Sequence, residues 1–106
     1  MAFQLSTTAL ALSFVYAIVP TPAASADGRA VYVAVCSACH APENVMVSAP
    51  KAGDTAEWRK RLHKGIDAAA DNAINGVGAM PPKGGQSALS RAEILSAIEF
   101  MQTANK

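Results

Sequence analysis

The sequence predicts an all-α fold of about four to five short helices. Two helix-start signatures and several apolar stripes at helical spacing support this prediction, and no convincing pair of strands competes with them. After residue 26 the chain has neither an internal repeat nor a low-complexity segment. We therefore expect one small domain rather than several.

The first predicted helix covers residues 28–40, whose pattern is ambiguous. Three valines at alternate positions resemble a strand, whereas every fourth residue from Gly28 to His40 falls on one helical face. A strand without a partner leaves its backbone polar groups unsatisfied. We therefore predict a helix for this segment.

A second helix is predicted to begin at Asp54, because Asp54 and Glu57 have the spacing of a capping box. Trp58 shares a face with the leucine four residues later, and Glu57 is placed to pair with Arg61 one turn on. Gly65 is expected to end this helix in the left-handed conformation.

Two further helices complete the prediction. From Ile66 the apolar positions keep helical spacing as far as Gly76, where we expect the helix to stop. The last helix follows Ser90 and Glu93, which again form a capping-box pattern. Its apolar stripe consists of Ile94, Leu95, Ile98 and Met101.

The first 26 residues differ from the rest of the chain. They contain no Asp, Glu, Lys or Arg, have an apolar core from Ala9 to Val19 and end on the small residues Ala24, Ser25 and Ala26. This pattern is typical of a secretory signal peptide, so we predict a leader at 1–26, cleavage after Ala26 and a mature domain at 27–106. A retained anchor is the alternative, but the apolar core is shorter than the roughly 20 residues of a helical span.

The formal net charge is +1, and all charged side chains lie in the predicted mature domain. Near-neutrality argues against nonspecific nucleic-acid binding. Much of the apolar content of the mature part is alanine, which buries little area, so a chain of this size needs additional support for its interior. No paired carboxylates, nucleophile with a base or phosphate-binding loop is apparent, and we do not expect an enzyme.

The only two cysteines and one of the two histidines lie within CSACH, residues 36–40. The C-x-x-C-H spacing is that of a c-type haem attachment site. On one helical turn Cys36 and His40 share a face and Cys39 lies beside them, so all three reach one edge of a macrocycle. The thiols add across the vinyl groups of the porphyrin, and the imidazole coordinates the iron.

Two other chemistries use a C-x-x-C core. Structural zinc requires four ligands, and His63 is the only further histidine. A thioredoxin-like redox pair is expected to open a helix after a strand in a βαβ pattern, which this chain lacks. The haem-free thiol oxidoreductase stays an alternative, but the sequence favours one covalently bound haem c with its iron.

Met80 is the preferred second axial ligand. It follows two glycines and precedes Pro81 and Pro82, which disfavour helix at Met80 and predict an extended strap with one thioether. The other candidates are less suitable: Met46 is too close to His40 along the chain, Met101 belongs to an apolar helix stripe, and His63 is expected on the surface.

These residues resemble a family, the class I cytochromes c, and within it the short bacterial soluble branch called cytochrome c-five. The likeness covers nearly all of residues 28–101 and includes Gly28, Tyr32, CSACH, the segment NAINGVGAMPPKGG and the final EILSAIEFM. The resemblance implies a cytochrome c fold wrapped around one haem. It also implies that the first and last helices cross, with contacts among Gly28, Tyr32, Ala97 and Phe100.

The resemblance implies further site residues. Pro50 is expected to accept a hydrogen bond from the second ring nitrogen of His40. Trp58 is expected to pack against the haem and either to donate its indole N–H to a propionate or to serve core packing alone, and Arg61 is a weaker candidate for the same propionate. Many members of this branch carry a second cysteine pair after the strap, which this chain lacks.

The sequence therefore predicts a periplasmic mono-haem carrier that transfers single electrons between respiratory redox partners, such as membrane cytochrome complexes, terminal oxidases or soluble reductases. We expect a monomer with no small-molecule substrate. The alternative is a protein that binds or senses nitric oxide or carbon monoxide after Met80 leaves the iron. Lys51 and Lys83 are expected to border the haem edge and to steer an acidic partner.

Overall fold

The computed structural model describes residues 3, 9–17 and 26–104. Residues 9–17 of the predicted leader are exposed and form neither helix nor strand. Two residues of the expected cleavage pattern, Ala24 and Ser25, lie outside the described residues. Within the described ranges, no helix combines the length and apolar character that crossing a bilayer requires.

Residues 28–40 form one continuous N-terminal helix, as predicted. It consists of α1 at Gly28–Val31, a π-helical stretch at Tyr32–Cys36 and α2 at Ser37–His40. Asp27 caps the start, because its carboxylate accepts hydrogen bonds from the amides of Arg29 and Ala30. The π-helical stretch, in which the Ser37 amide donates to the Tyr32 carbonyl, was not predicted.

The second and third predicted helices are α3 at Thr55–Arg61 and α4 at Ile66–Asn75. The carboxylate of Asp54 accepts a hydrogen bond from the Glu57 amide at 3.1 Å, as expected of an N-cap. The prediction for Gly65 was wrong in one respect. Helix α3 ends before it, and Gly65, with φ 94° and ψ 159°, is instead the residue that precedes α4.

The last helix, α5, spans Arg91–Thr103 and begins with the full capping box: the Ser90 hydroxyl accepts from the Glu93 amide, and the Glu93 carboxylate accepts from the Ser90 amide. Between α4 and α5 the chain forms the strap, residues 76–89. In the strap Val77 and Met80 exchange two backbone hydrogen bonds, and a 3₁₀ turn follows at Pro82–Gly85. The all-α prediction is confirmed for the described residues.

The N-terminal helix crosses α5 at very short distance. A Cβ on Gly28 would lie 2.0 Å from the Ser96 carbonyl oxygen, so only glycine fits at this crossing. One turn later the rings of Tyr32 and Phe100 pack with centroids 5.2 Å apart. Ala97 is buried on the facing side of α5. The helix crossing that the resemblance implied is therefore present.

The hydrophobic core is small and rich in alanine. Its buried members are Ala52, Trp58, Ala70, Ala73, Ile94, Ile98 and Met101. Larger side chains, such as Tyr32, Leu62 and Phe100, pack against this cluster but stay partly exposed. The short helices consequently do not fill the interior with side chains, and a cavity lies between them and the strap.

Candidate haem site

A cavity of about 390 Å³ opens between the N-terminal helix, the loop at 47–50, helices α3 to α5 and the strap. All seven residues predicted for the site line it: Cys36, Cys39, His40, Pro50, Trp58, Arg61 and Met80. Residues up to 44 positions apart along the chain therefore face one space. The sequence assigned these residues to one haem, and the fold supplies the space that they share.

The rest of the lining is mostly apolar. It includes side chains for which the sequence indicated no contact with a cofactor: Val31, Val35, Ala69, Ala73, Val77, Leu89, Ile94, Ile98 and Met101. Their helical periodicity was the available signal, but it indicated a buried face without showing what the face buries. An apolar cavity with two thiols, an imidazole and a thioether suits a flat apolar macrocycle with a central metal.

His40 is buried and held in one orientation. Its Nδ1 lies 2.7 Å from the carbonyl oxygen of Pro50. A carbonyl only accepts hydrogen bonds, so Nδ1 carries the proton and donates. No hydrogen bond within residues 26–104 engages Nε2. The imidazole therefore keeps a lone pair on Nε2 for a metal, with the Pro50 carbonyl as the outer partner that orients the ligand.

The pKa of His40 is lowered, chiefly by burial. The hydrogen bond to Pro50 acts in the opposite direction, and the nearby positive charge of Lys51 lowers the pKa further. Both lowering effects favour the neutral ring over the imidazolium. Only the neutral ring has the lone pair that a metal ligand needs.

Cys36 and Cys39 are half-buried thiols that form no disulfide with each other. Burial raises the pKa of Cys36. A raised pKa keeps this sulfur protonated at neutral pH, whereas a redox-active C-x-x-C pair has a thiol with a lowered pKa. The environment of Cys36 therefore does not match a thiol exchange site.

Trp58 is buried and stacks near His40, with ring centroids 6.0 Å apart and an interplanar angle of 27°. Its indole N–H donates to the backbone carbonyl of Lys51 at 2.9 Å. The indole has a single N–H, so a hydrogen bond to a propionate would require breaking the bond to Lys51. The structure thus gives Trp58 a packing position and ties α3 to the loop that carries Pro50.

Arg61 lies at the edge of the cavity, where its guanidinium pairs with Glu57 at 3.0 Å. This is the pair of one helical turn that the sequence predicted. Lys60 also contacts the Glu57 carboxylate, at 3.4 Å. The hydrogen bonds from Arg61 and Lys60 lower the pKa of Glu57, which stays ionised and holds Arg61 beside the cavity.

Of the three rejected axial candidates, Met101 and His63 lie where the sequence placed them, whereas Met46 was rejected only for its closeness to His40 along the chain. Met46 is 90% exposed, and His63 is exposed with its ring bonded to the Lys60 carbonyl. Met101 is buried in the core and reaches the cavity only as part of its apolar lining. Met80 is partly buried and packs against the core from the strap.

Lys51 does not extend into solvent as a docking charge would. Its ammonium group donates to the carbonyl of Cys39 at 2.9 Å and to that of Val47 at 2.7 Å. These bonds join the end of the N-terminal helix to the loop before Pro50. The hydrogen bonds of Lys51 to these carbonyls were not predicted, because they form only in the folded loop.

Comparisons with known proteins match this geometry. The family model described as Cytochrome C oxidase, cbb3-type, subunit III matches residues 23–101. The chain is 42% identical over 86 residues to cytochrome c5 from Ectopseudomonas mendocina, covering 74% of this chain and 97% of that protein. It is 38% identical over 81 residues to cytochrome c-555 from Chlorobaculum thiosulfatiphilum, covering 73% of this chain and 92% of that protein.

The chain belongs to the small class I c-type cytochromes. Its cofactor is covalently attached haem c with iron, and residues 36–40 supply the C-x-x-C-H motif. The relatives carry the names cytochrome c5 and cytochrome c-555. Family membership therefore favours haem attachment over the haem-free thiol oxidoreductase that the sequence left as an alternative.

A solved structure adds a relative seen with its partner. The structure, titled "Crystal structure of electron transfer complex of nitrite reductase with cytochrome c", contains a chain that superposes on this cytochrome with a TM-score of 0.64 and 37% identity. The superposition covers 72% of this cytochrome and 90% of that chain. At this identity the likeness supports the same helical fold.

Proposed function

We propose that this cytochrome is a periplasmic mono-haem carrier of single electrons, with His40 and Met80 as the axial ligands of its iron. The observation that carries the proposal is that His40 and Met80 line one apolar cavity together with both thiols of the C-x-x-C-H motif. An imidazole and a thioether are the ligand pair of mid- to high-potential cytochromes c.

The bound haem supplies the chemistry, which is reversible one-electron cycling of its iron. The chain contributes orientation and exclusion of water. Pro50 fixes the imidazole of His40 through its carbonyl, Cys36 and Cys39 tether the porphyrin edge, and Met80 offers a soft sulfur that favours the ferrous state. A chain that holds His40 and Met80 in place would keep the rearrangement between the two oxidation states of a bound haem small.

Export is part of this proposal. Covalent haem attachment of this type occurs outside the cytoplasm, and residues 1–26 have the pattern of a cleavable leader. We propose that the mature domain begins at Asp27 and exchanges electrons with other redox proteins, as a monomer. The nitrite reductase complex of a structural relative supports a protein partner of this general kind.

The first test is the purified, exported protein. A mass equal to residues 27–106 plus one haem, together with a pyridine haemochrome spectrum typical of two thioether links, is the expected result. Colourless protein, or a mass without added porphyrin, contradicts the assignment. A mature protein that still begins at Met1 contradicts the cleavage but leaves the haem assignment intact.

The second test concerns the axial ligand. Ferric protein is expected to show the near-infrared charge-transfer band of a methionine–iron bond at neutral pH. Met80→Ala is expected to abolish the band, whereas Met46→Leu, which alters an exposed methionine, is expected to keep it. A band that survives in Met80→Ala overturns the assignment of Met80.

The alternative of a gas-binding protein is tested on the same sample. Met80 belongs to a glycine-rich strap whose residues are mostly exposed. The strength of the bond between Met80 and the iron therefore decides between electron transfer and gas binding. Slow, incomplete binding of carbon monoxide to the reduced protein is expected for a carrier. Rapid and complete binding would favour the gas-binding function instead.

A further inference from the structure

The strap at 76–89 is held by few interactions of its own. Its backbone hydrogen bonds are all local and join residues three positions apart: Val77 with Met80, Pro81 with Gly84, Lys83 with Gln86 and Gln86 with Leu89. Four of its residues are glycines, and residues 84–88 are exposed. Local bonds of this kind do not by themselves fix the strap against the rest of the fold.

Lys83 supplies a longer connection. Its ammonium group donates to the carbonyl of Leu89 at 2.8 Å and lies 3.4 Å from the carbonyl of Ser87. Leu89 packs against the hydrophobic core, and the next residue, Ser90, caps α5. The lysine thus joins the turn after Met80 to the fixed start of the last helix.

The backbone of Lys83 is also unusual. It adopts φ 55° and ψ 29°, the left-handed conformation, and among the described residues it is the one non-glycine with positive φ. Glycine adopts this conformation with less strain, and Gly84 and Gly85 beside it do so. A lysine in this conformation carries a modest free-energy cost, which a stabilising contribution from its side chain would offset. The bonds to Leu89 and Ser87 provide one.

Lys83 also lines the haem cavity and is only partly exposed. A hydrogen bond from a charged donor is stronger than a neutral one, and partial burial limits competition from water. The turn is in addition seated on the N-terminal helix, because a Cβ on Gly84 would lie 3.3 Å from a methyl group of Val35. The strap is thus confined between Val35 on one side and the Lys83 connection on the other.

We infer that Lys83 is a positioning residue that holds Met80 at the haem cavity by joining the turn after Met80 to Leu89, the end of the strap that packs against the core. The inference rests on the proposed ligation of the iron by Met80. It gives Lys83 a role besides the expected docking charge, because the ammonium group is directed at two carbonyls of its own chain. It also gives the strap a noncovalent connection at the place where the sequence has no second cysteine pair.

The test compares three variants of the haem-loaded protein with the wild type. Lys83→Met keeps the aliphatic stem and removes the ammonium group, and Lys83→Arg restores a charged donor. Lys64→Met is the matched control, because Lys64 is an exposed lysine outside the strap. The measurements are the near-infrared methionine–iron band, the rate of carbon monoxide binding to the reduced protein and amide hydrogen exchange in the strap.

In Lys83→Met we expect carbon monoxide binding and exchange of the Gln86 and Leu89 amides to become roughly tenfold faster, the effect of losing one charge-assisted hydrogen bond. The near-infrared band is expected to weaken. Lys83→Arg is expected to reverse most of these three changes, and Lys64→Met to resemble the wild type.

Three negative outcomes are distinguishable. If Lys83→Met binds carbon monoxide and exchanges strap amides at wild-type rates while the wild type shows the methionine band, the positioning role is wrong and the proposed ligation stands. If the wild type itself lacks the band, the proposed ligation is wrong and the inference fails with it. Equal effects in Lys83→Met and Lys64→Met would show a general effect of charge and would also overturn the inference.

Discussion

The imidazole of His40 donates its Nδ1 proton to the carbonyl oxygen of Pro50 across 2.7 Å. Every residue type has this carbonyl, so proline contributes by fixing where it points. The loop between the two residues is mostly exposed, with Met46 almost fully so. The orientation of the ligand thus depends on the rigidity of the backbone at Pro50.

Pro50→Gly is expected to loosen this hydrogen bond while leaving its acceptor in place. The freer backbone is expected to lower the free energy of unfolding by about 0.5–1 kcal/mol. Exchange of the His40 Nδ1 proton, followed by proton NMR of the haem-loaded protein, is expected to become faster. Pro42→Gly in the same loop is the control, with a similar entropic effect and unchanged Nδ1 exchange. Equal Nδ1 exchange in both variants would contradict a specific role for Pro50.

Gly28→Ala is expected to disrupt the crossing of the N-terminal helix and α5. The added Cβ would meet the Ser96 carbonyl oxygen at 2.0 Å, and both partners are backbone that belongs to helices. Overpacking of this kind costs about 1–3 kcal/mol or more, despite the better helix propensity of alanine. Guanidinium unfolding followed by haem absorbance measures the loss. Ala30→Val, which adds bulk at an exposed position of the same helix, is expected to have a much smaller effect.

The sequence predicted those features that depend on local chemistry. Asp54 and Ser90 cap their helices through side chains three residues from their partners, and Gly76 ends α4 with φ 83°, so neighbouring residues determine each outcome. The π-helical stretch at Tyr32–Cys36 was missed, because a repeat of every four residues does not distinguish it from an α-helix.

Several hydrogen bonds from polar side chains to backbone carbonyls were not predicted, for a different reason. The indole of Trp58 donates to the Lys51 carbonyl, and the ammonium groups of Lys51 and Lys83 bind carbonyls in their own chain. The partners lie only four to seven residues apart, but each bond depends on the conformation of an irregular loop, which a helical pattern does not predict. The sequence does not distinguish a lysine that faces solvent from one that binds a backbone carbonyl of its own chain. Lys51 and Lys83 were therefore expected only as charges that attract a partner.

Lys51→Met is expected to destabilise the loop before Pro50. It removes the donor to the carbonyls of Cys39 and Val47, bonds of 2.9 and 2.7 Å. Leaving partly buried carbonyls without their charged donor costs about 1–3 kcal/mol. Chemical unfolding measures the change, with Lys64→Met as the control for loss of one positive charge. If the two variants lose equal stability, the interior bonds of Lys51 contribute nothing specific.

The same substitution separates an interior role from electrostatic steering. A docking charge acts on the rate of association and loses its effect at high salt, whereas an interior hydrogen bond is largely independent of salt. We therefore expect the stability loss of Lys51→Met to persist at high ionic strength. A stability loss that disappears with added salt would indicate that Lys51 acts as a solvent-exposed charge instead.

The carboxylate of Glu57 is expected to titrate at a lower pH than a free glutamate. Hydrogen bonds from Arg61 and then Lys60 lower its pKa from the usual 4.5. Because the folded-state pKa is the lower one, the pair contributes its full stabilisation above about pH 4.5, and this is lost as the pH falls through the folded-state pKa. NMR titration of the carboxyl carbon measures the shift directly. Arg61→Gln is expected to raise the pKa towards 4.5 and Arg59→Gln, at a position without a bond to Glu57, to leave it low. An unchanged pKa in Arg61→Gln would show that the guanidinium does not hold this carboxylate in solution.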